Sequence, residues 1–179
     1  MEKIKILGVD PSLRNTGLAI VTYNTELPPS DPAAFTTSHC QVLVNPAKYT
    51  GTDAILNMLD MIYEESQKLC YQEPETVLIE SPAIMFNKKI SSSVVASIAH
   101  ISGGAVALLG IEKAHLFRPN EWNRTRKKEI THNQTIAVLG NADAWHYEKR
   151  VKSEKYMEHI LDAASMALWW IKSNYLDEE

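Results

Sequence analysis

Two short apolar runs, each ending on a carboxylate, constrain this chain more than any other feature. Ile4-Lys5-Ile6-Leu7-Gly8-Val9 leads into Asp10, and Thr76-Val77-Leu78-Ile79 leads into Glu80. Apolar runs of this length, bounded by turn residues, read as buried strands. An ionised acid at the end of such a strand loses hydration, which is costly unless a partner compensates it. The ordinary reading of each acid alone is a solvated strand end. Asp10 precedes Pro11 and Glu80 precedes Ser81-Pro82, and such sequences start turns.

The far end of the chain weighs against that reading. The spacing predicts a last helix over Glu154 to Ser173. At about 100° per residue, Met157, Ile160, Leu161, Ala164, Leu168 and Ile171 share one face of it. His159 and Asp162 lie on the opposite face, in a stripe continued by Ala163, Met166, Ala167 and Trp170. A helix apolar on both sides is buried on both sides, so its His and Asp point inward. A lone His reads as a hydrogen-bonded core residue, and a lone Asp near a helix start as a dipole device. With two strand-end acids beside them, the four read as one site. Three carboxylates and one imidazole suit Mg2+ or Mn2+ better than Zn2+. Two such ions about 3.5–4 Å apart clamp the attacking water and the leaving oxygen of a phosphate diester. In that scheme Asp10 bridges both ions, Glu80 holds one, and Asp162 and His159 complete the set. His159 is alternatively the group that orients or deprotonates the water.

The rest of the chain fits a single α/β domain over residues 1–179. Expected strands cover 4–10 and 18–23, paired as a hairpin, then 39–44, 76–80 and 115–118. Expected helices cover 54–70, with Thr52 or Asp53 as cap, 94–108, 130–139 and the last segment. Residues 25–38 read as a loop and 140–153 as a connection. The hydrophobic fraction is 45% and the net charge −4, so any surface for nucleic acid must be local. Cys40 and Cys70 lack metal-site spacing and read as reduced thiols. The N-terminus lacks a signal-peptide core. The longest apolar run, Val94 to Ile111, is broken by Ser97, His100, Ser102 and Gly103-Gly104, which argues against a membrane span. A soluble cytoplasmic protein without a membrane partner is the expectation.

Three segments resemble the RuvC-type Holliday-junction resolvases of the RNase H-like nuclease superfamily. Gly8-Val9-Asp10-Pro11-Ser12-Leu13-Arg14-Asn15-Thr16-Gly17 is similar, without a gap, to that family's opening Gly-x-Asp-Pro-Gly-x-Arg-x-Thr-Gly hairpin, with Ser12 where Gly is usual. Val77-Leu78-Ile79-Glu80 resembles its second acid site. His159-Ile160-Leu161-Asp162-Ala163-Ala164 resembles its terminal (Asp or His)-x-x-Asp-Ala motif. Lys128-Glu129 and the apolar stretch after it resemble the segment carrying the family's functional lysine. The resemblance spans residues 6 to 170. It implies an RNase H-like fold, a five-stranded mixed sheet flanked by helices, and a homodimer in which each subunit nicks one of two opposed strands of a four-way DNA junction. It also implies catalytic roles for Asp10, Glu80, His159, Asp162 and Lys128, divalent metal at the first four, and no small-molecule cofactor. The chain's phage or bacterial character, and hence a bacterial or infected-host cytoplasm, belongs to the same expectation. The Ala-, Ser- and Gly-rich helix over 91–109 is a candidate dimer contact, or else a buried helix of the domain.

Clustered cations neutralise phosphates and release counterions. Arg124, Arg126, Lys127 and Lys128 are expected to contact DNA, because the resemblance places a lysine there. Arg14 of the hairpin and Lys88-Lys89 are further candidates. Phe86 could stack on a base or tuck into the core. The remaining tryptophans read as packing residues. Two rival functions stay open: another RNase H-like nuclease acting on branched DNA or RNA–DNA hybrids, and an inactive junction-binding dimer. Sugar kinases and actin-like ATPases share a similar hairpin but need two such domains.

Overall fold

The computed structural model of the chain describes residues 3–82, 91–123, 127–139 and 154–176. Strands β1 (Lys3–Asp10), β2 (Asn15–Asn24), β3 (Phe35–Val44), β4 (Thr76–Glu80) and β5 (Ala114–Phe117) form one sheet in the order β3-β2-β1-β4-β5. The first three pair antiparallel, while β4 lies parallel to β1 and β5 parallel to β4. The helices among the described residues are α1 (Gly51–Leu69), α2 (Ser92–Leu109), α3 (Pro119–Trp122), α4 (Lys128–Leu139) and α5 (Glu154–Tyr175), with a 3-10 turn over Cys70–Gln72. This is the mixed five-stranded α/β sheet expected.

Period-two alternation divides the core between the two faces of the sheet. Ile4, Ile6, Ala19, Val21 and Leu78 pack with Ile160, Ala163, Ala164, Ala167 and Ile171 of α5. Leu7, Val9, Leu18, Ile20, Val77 and Ile79 pack with Met58 and Ile62 of α1 and Ile101 and Ala105 of α2. Asp10 shares parity with Ile4 and Ile6, and Glu80 with Leu78. Both strand-end acids therefore belong to the α5 face. Residues Ile160 to Leu168 of α5 are all buried, as a helix apolar on both sides requires.

Several boundaries differ from expectation. β2 begins at Asn15 rather than Leu18, because the turn closes within Pro11–Arg14. There the Ser12 hydroxyl accepts from the backbone N–H of Asn15 at 3.0 Å, and the Thr16 hydroxyl donates to the Ser12 carbonyl at 3.2 Å. β3 begins at Phe35 rather than His39, since Phe35 pairs with Tyr23 and their rings stack at 4.9 Å. The loop expected over 25–38 shortens accordingly. α1 starts at Gly51, so Thr52 and Asp53 lie in its first turn and not at its cap. α4 starts at Lys128, ahead of Ile130, and β5 stops at Phe117. The one-turn helix α3 was not anticipated. Pro119 opens it, and the Glu121 carboxylate accepts from the Arg118 backbone N–H at 2.5 Å. The expected 140–153 connection lies outside the described residues.

Helix α2 is long and apolar enough to cross a membrane by length and composition. It packs on α1, with Gly104 against Leu59. Only Ile101, Ser102 and Ala105 of it are buried.

Candidate active site

Two glycines decide how close α5 comes to the strand ends. Gly8 and Gly17 lie on the α5 face of β1 and β2. A β-carbon at Gly8 would sit 1.9 Å from the Ala163 carbonyl oxygen, and one at Gly17 would sit 2.1 Å from the His159 carbonyl oxygen. No other residue type fits there without moving the helix. The two contact points are one helical turn apart on α5, so the helix lies directly on the hairpin. Gly17 pairs with Asp10 across β1 and β2, so the same approach brings His159 beside Asp10. The His159 ring meets it, Nδ1 to Asp10 Oδ2, at 2.6 Å. A carboxylate facing Nδ1 favours the tautomer that donates from Nδ1, leaving Nε2 as the proton-accepting nitrogen.

Glu80 comes from the neighbouring strand. Val9 pairs with Ile79 in parallel register, so Asp10 and Glu80 are the next residues of both strands. The Glu80 carboxyl feels Asp10 most strongly among its neighbours and Asp162 after it. Burial first, then Asp10 and Asp162, push its pKa up to about 9, against a small opposing pull from Lys128. The cause is like charge in a poorly hydrated place, where three neighbouring carboxyls cannot all ionise. Its backbone is pinned as well, its carbonyl accepting from the Ser102 hydroxyl of α2 at 3.0 Å.

Asp162 is 3% exposed and held by α4. Lys128 donates from Nζ to its Oδ2, and His132 Nε2 lies 2.8 Å from its Oδ1. Burial pushes the Asp162 carboxyl up, but His132 and Lys128 together hold it below the usual range. Burial pushes the Lys128 ammonium down, yet Asp162, Asp10 and Glu80 outweigh that and raise it. One ammonium thus serves three carboxyls. A hydrogen bond of 2.7 Å between the buried hydroxyls of Thr135 and Ser165 fixes α4 on α5.

Asp10, Glu80, His159, Asp162 and Lys128 therefore meet at one end of the sheet. Among the described residues, no three acid, imidazole or thiol groups stand ready as a metal cage. Their oxygens are instead turned to Lys128, His132, His159 and one another. The donor set nonetheless fits a divalent cation. It is oxygen-rich with one imidazole, and its excess negative charge is met by a single lysine whose side chain is 60% exposed.

His132 was not among the residues singled out from the sequence. Its only trace there is the spacing of four from Lys128, which puts both on one face of a helix. Arg14, a candidate for DNA, donates to the carbonyls of Pro46 at 3.2 Å and Tyr49 at 2.9 Å, fastening the segment between β3 and α1. Lys127 is exposed ahead of α4. Phe86, Lys88, Lys89, Arg124 and Arg126 lie outside the described residues. Trp122 is buried, and Trp169 and Trp170 pack against the α5 core.

No family model and no curated protein matches the sequence. Solved structures do match the fold. RuvC of Thermus thermophilus, in complex with a Holliday junction substrate, aligns over 97% of this chain and 98% of its own, at 16% identity and a TM-score of 0.67. The yeast mitochondrial Holliday junction resolvase aligns over 97% of this chain and 82% of its own, at 14% identity and a TM-score of 0.65. The resolvase of Fowlpox virus, in complex with Holliday junction DNA, aligns over 96% of this chain and 99% of its own, at 14% identity and a TM-score of 0.55. Coverage near the full length of both partners, with the strand order described above, makes this the RNase H-like fold in the form taken by the RuvC-type Holliday-junction resolvases.

Proposed function

We propose that this protein is a metal-dependent endonuclease that resolves four-way DNA junctions as a homodimer. The observation that carries the reading is the crowding of Asp10, Glu80 and Asp162 at one sheet end, where Glu80 is driven up to about 9 by burial and its acidic neighbours. A fold that stabilises only itself gains nothing from three adjacent acids. A fold that must bind cations against a phosphate diester needs them. The fold-level likeness to resolvases solved in complex with junction DNA supports that substrate over others.

In this reading Asp10, Glu80 and Asp162 would hold one or two Mg2+ or Mn2+ ions, with His159 serving as the base and not as a ligand. Bound there, divalent metal lowers the pKa of water and neutralises charge on the phosphate. The protein's own groups do the rest. Asp10 orients the His159 ring through Nδ1, so that Nε2 is placed to take a proton from water. Lys128, whose side chain is 60% exposed beside Asp162, would offer its ammonium to a phosphate oxygen. Lys127 and, in the same segment, Arg124 and Arg126 add sequence-independent phosphate contacts.

Paired nicks require two sites related by a two-fold axis. The exposed side of α2, carrying Ala96, Ala99, Gly103 and Ala107, is the proposed contact. Small side chains permit close helix approach, and a β-carbon at Gly103 would meet nothing within 4 Å.

The test is Mg2+-dependent cutting of a synthetic mobile four-way junction, with products mapped on all four strands, beside a linear duplex and an RNA–DNA hybrid. Symmetric nicks in two opposed strands are expected. Asp10→Asn is expected to abolish cutting and keep junction binding. Cutting confined to the hybrid would replace the junction reading with that of another RNase H-like nuclease. Junction binding without cutting in any metal would leave a binding dimer.

A further inference from the structure

Asp162 is the one acid of the cluster with both oxygens held by side chains of a single neighbouring helix. Lys128 takes Oδ2, and His132, one turn later on α4, faces Oδ1 at 2.8 Å. The two holders differ in what they can do next. The lysine side chain is 60% exposed and flexible, whereas the His132 side chain is 12% exposed. The α4 backbone beside His132 is itself anchored, since Thr135 and Ser165, three residues beyond His132 and Asp162, bond each other at 2.7 Å.

We infer that His132 is a positioning residue for Asp162, holding Oδ1 so that Oδ2 is the oxygen presented to a divalent cation once Lys128 withdraws. The inference rests on the metal-dependent reading of the site. Its physical basis is that a carboxylate with one oxygen fixed loses its rotational freedom, so less is lost when the other oxygen binds. Hydrogen-bond partners of metal ligands tune affinity in the same way. The same contact explains a half-buried histidine on a helix otherwise bordered by Thr131 and Asn133.

The experiment is titration of Mn2+ into the DNA-free protein, followed by the paramagnetic signal of free Mn2+, for wild type, Asp162→Asn, His132→Ala, His132→Gln and Thr135→Val. Circular dichroism melts of each variant run alongside. His132→Ala is expected to weaken Mn2+ binding by about 10–100-fold. His132→Gln, which keeps an N–H donor, is expected to restore much of it. Thr135→Val is expected to lower the melting temperature with little change in affinity. Binding by His132→Ala as tight as wild type overturns the inference alone. So does an equal loss of affinity in Thr135→Val, because His132 would then act only through helix placement. If His132→Ala fails to fold, the comparison of His132→Gln with Thr135→Val decides in the same way. Absence of Mn2+ binding in wild type, or unchanged binding in Asp162→Asn, overturns the metal reading itself and this inference with it.

Discussion

Two glutamates have left bulk water in this fold, and their surroundings are opposite. Glu65 of α1 is 2% exposed and lies between the Lys68 ammonium, Nζ at 2.6 Å, and the His39 imidazole, Nε2 at 3.2 Å. Glu80 at the end of β4 is less buried, yet it faces Asp10 and Asp162 and is pushed up to about 9. The first arrangement sets a single acid against a single lysine, which donates to Oε2, and pairs it with no second carboxylate among the described residues. The second is crowded, because three carboxyls face one another and Glu80 itself has only acids and Lys128 about it. Burial of an acid therefore does not mark a site. What marks it is the company of other acids, which must be balanced by a proton or a cation.

The sharpest way to break this contrast is to neutralise each glutamate in turn. Glu80→Gln is expected to reduce cutting by about 10²-fold or more, as loss of an electrostatic stabiliser does. Its melting temperature in EDTA should hold or rise, because the cost of keeping Glu80 protonated in the fold is removed. Glu65→Gln should cut like wild type but melt lower, by about 1–3 kcal/mol, the cost of buried groups left without their partner. Nicking assays and paired thermal melts check both, and a swap of the two phenotypes would erase the distinction.

A smaller effect separates convergence from composition. Gly17→Ala leaves every acid in place but drives a β-carbon to 2.1 Å from the His159 carbonyl oxygen. α5 must then lift, at about 1–3 kcal/mol. Cutting should fall with the melting temperature, while the Glu65 cluster on the other face is untouched. Full activity in this variant would mean that α5 does not need its close seat.

The smallest effect is a tilt with pH. Glu80 has its folded pKa raised from 4.5 to about 9, so the folded state binds the extra proton across that window. Its contribution is complete below 4.5 and is lost as pH rises through about 9, so metal-free stability declines with rising pH. Glu80→Gln should flatten that decline. His39 tilts the other way: burial lowers its pKa below 6.5, with Glu65 opposing and Lys68 assisting. Its contribution is present above 6.5 and is lost as pH falls into the acid range. Thermal melts in EDTA across both windows measure the two slopes.

Much of this was legible in the chain itself. The apolar runs ending at Asp10 and Glu80 give their strands, and period-two alternation alone places Asp10 on the face of Ile4 and Ile6 and Glu80 on that of Leu78. The two-sided apolar pattern of α5 correctly implies a helix buried all round from Ile160 to Leu168. These features are local, repeated over several residues, and set by the partition of side chains between water and core.

His132 was not legible, because its meaning is a hydrogen bond to Asp162 thirty positions away. Nor was the function of Gly8 and Gly17 as seats for α5, since a glycine in a strand records no partner. The extra length of β2 and β3 came from a hydroxyl-braced turn and a Tyr23–Phe35 stack, both cross-strand events. The sequence by itself determined which residues are acidic, which segments are strands and helices, and which faces are apolar. Only the tertiary structure decided that Lys128 and His132 would share the two oxygens of Asp162 while Glu80 was left among acids. Such contacts depend on how closely separate elements approach, and that distance is set by packing of the whole core rather than by any stretch of chain.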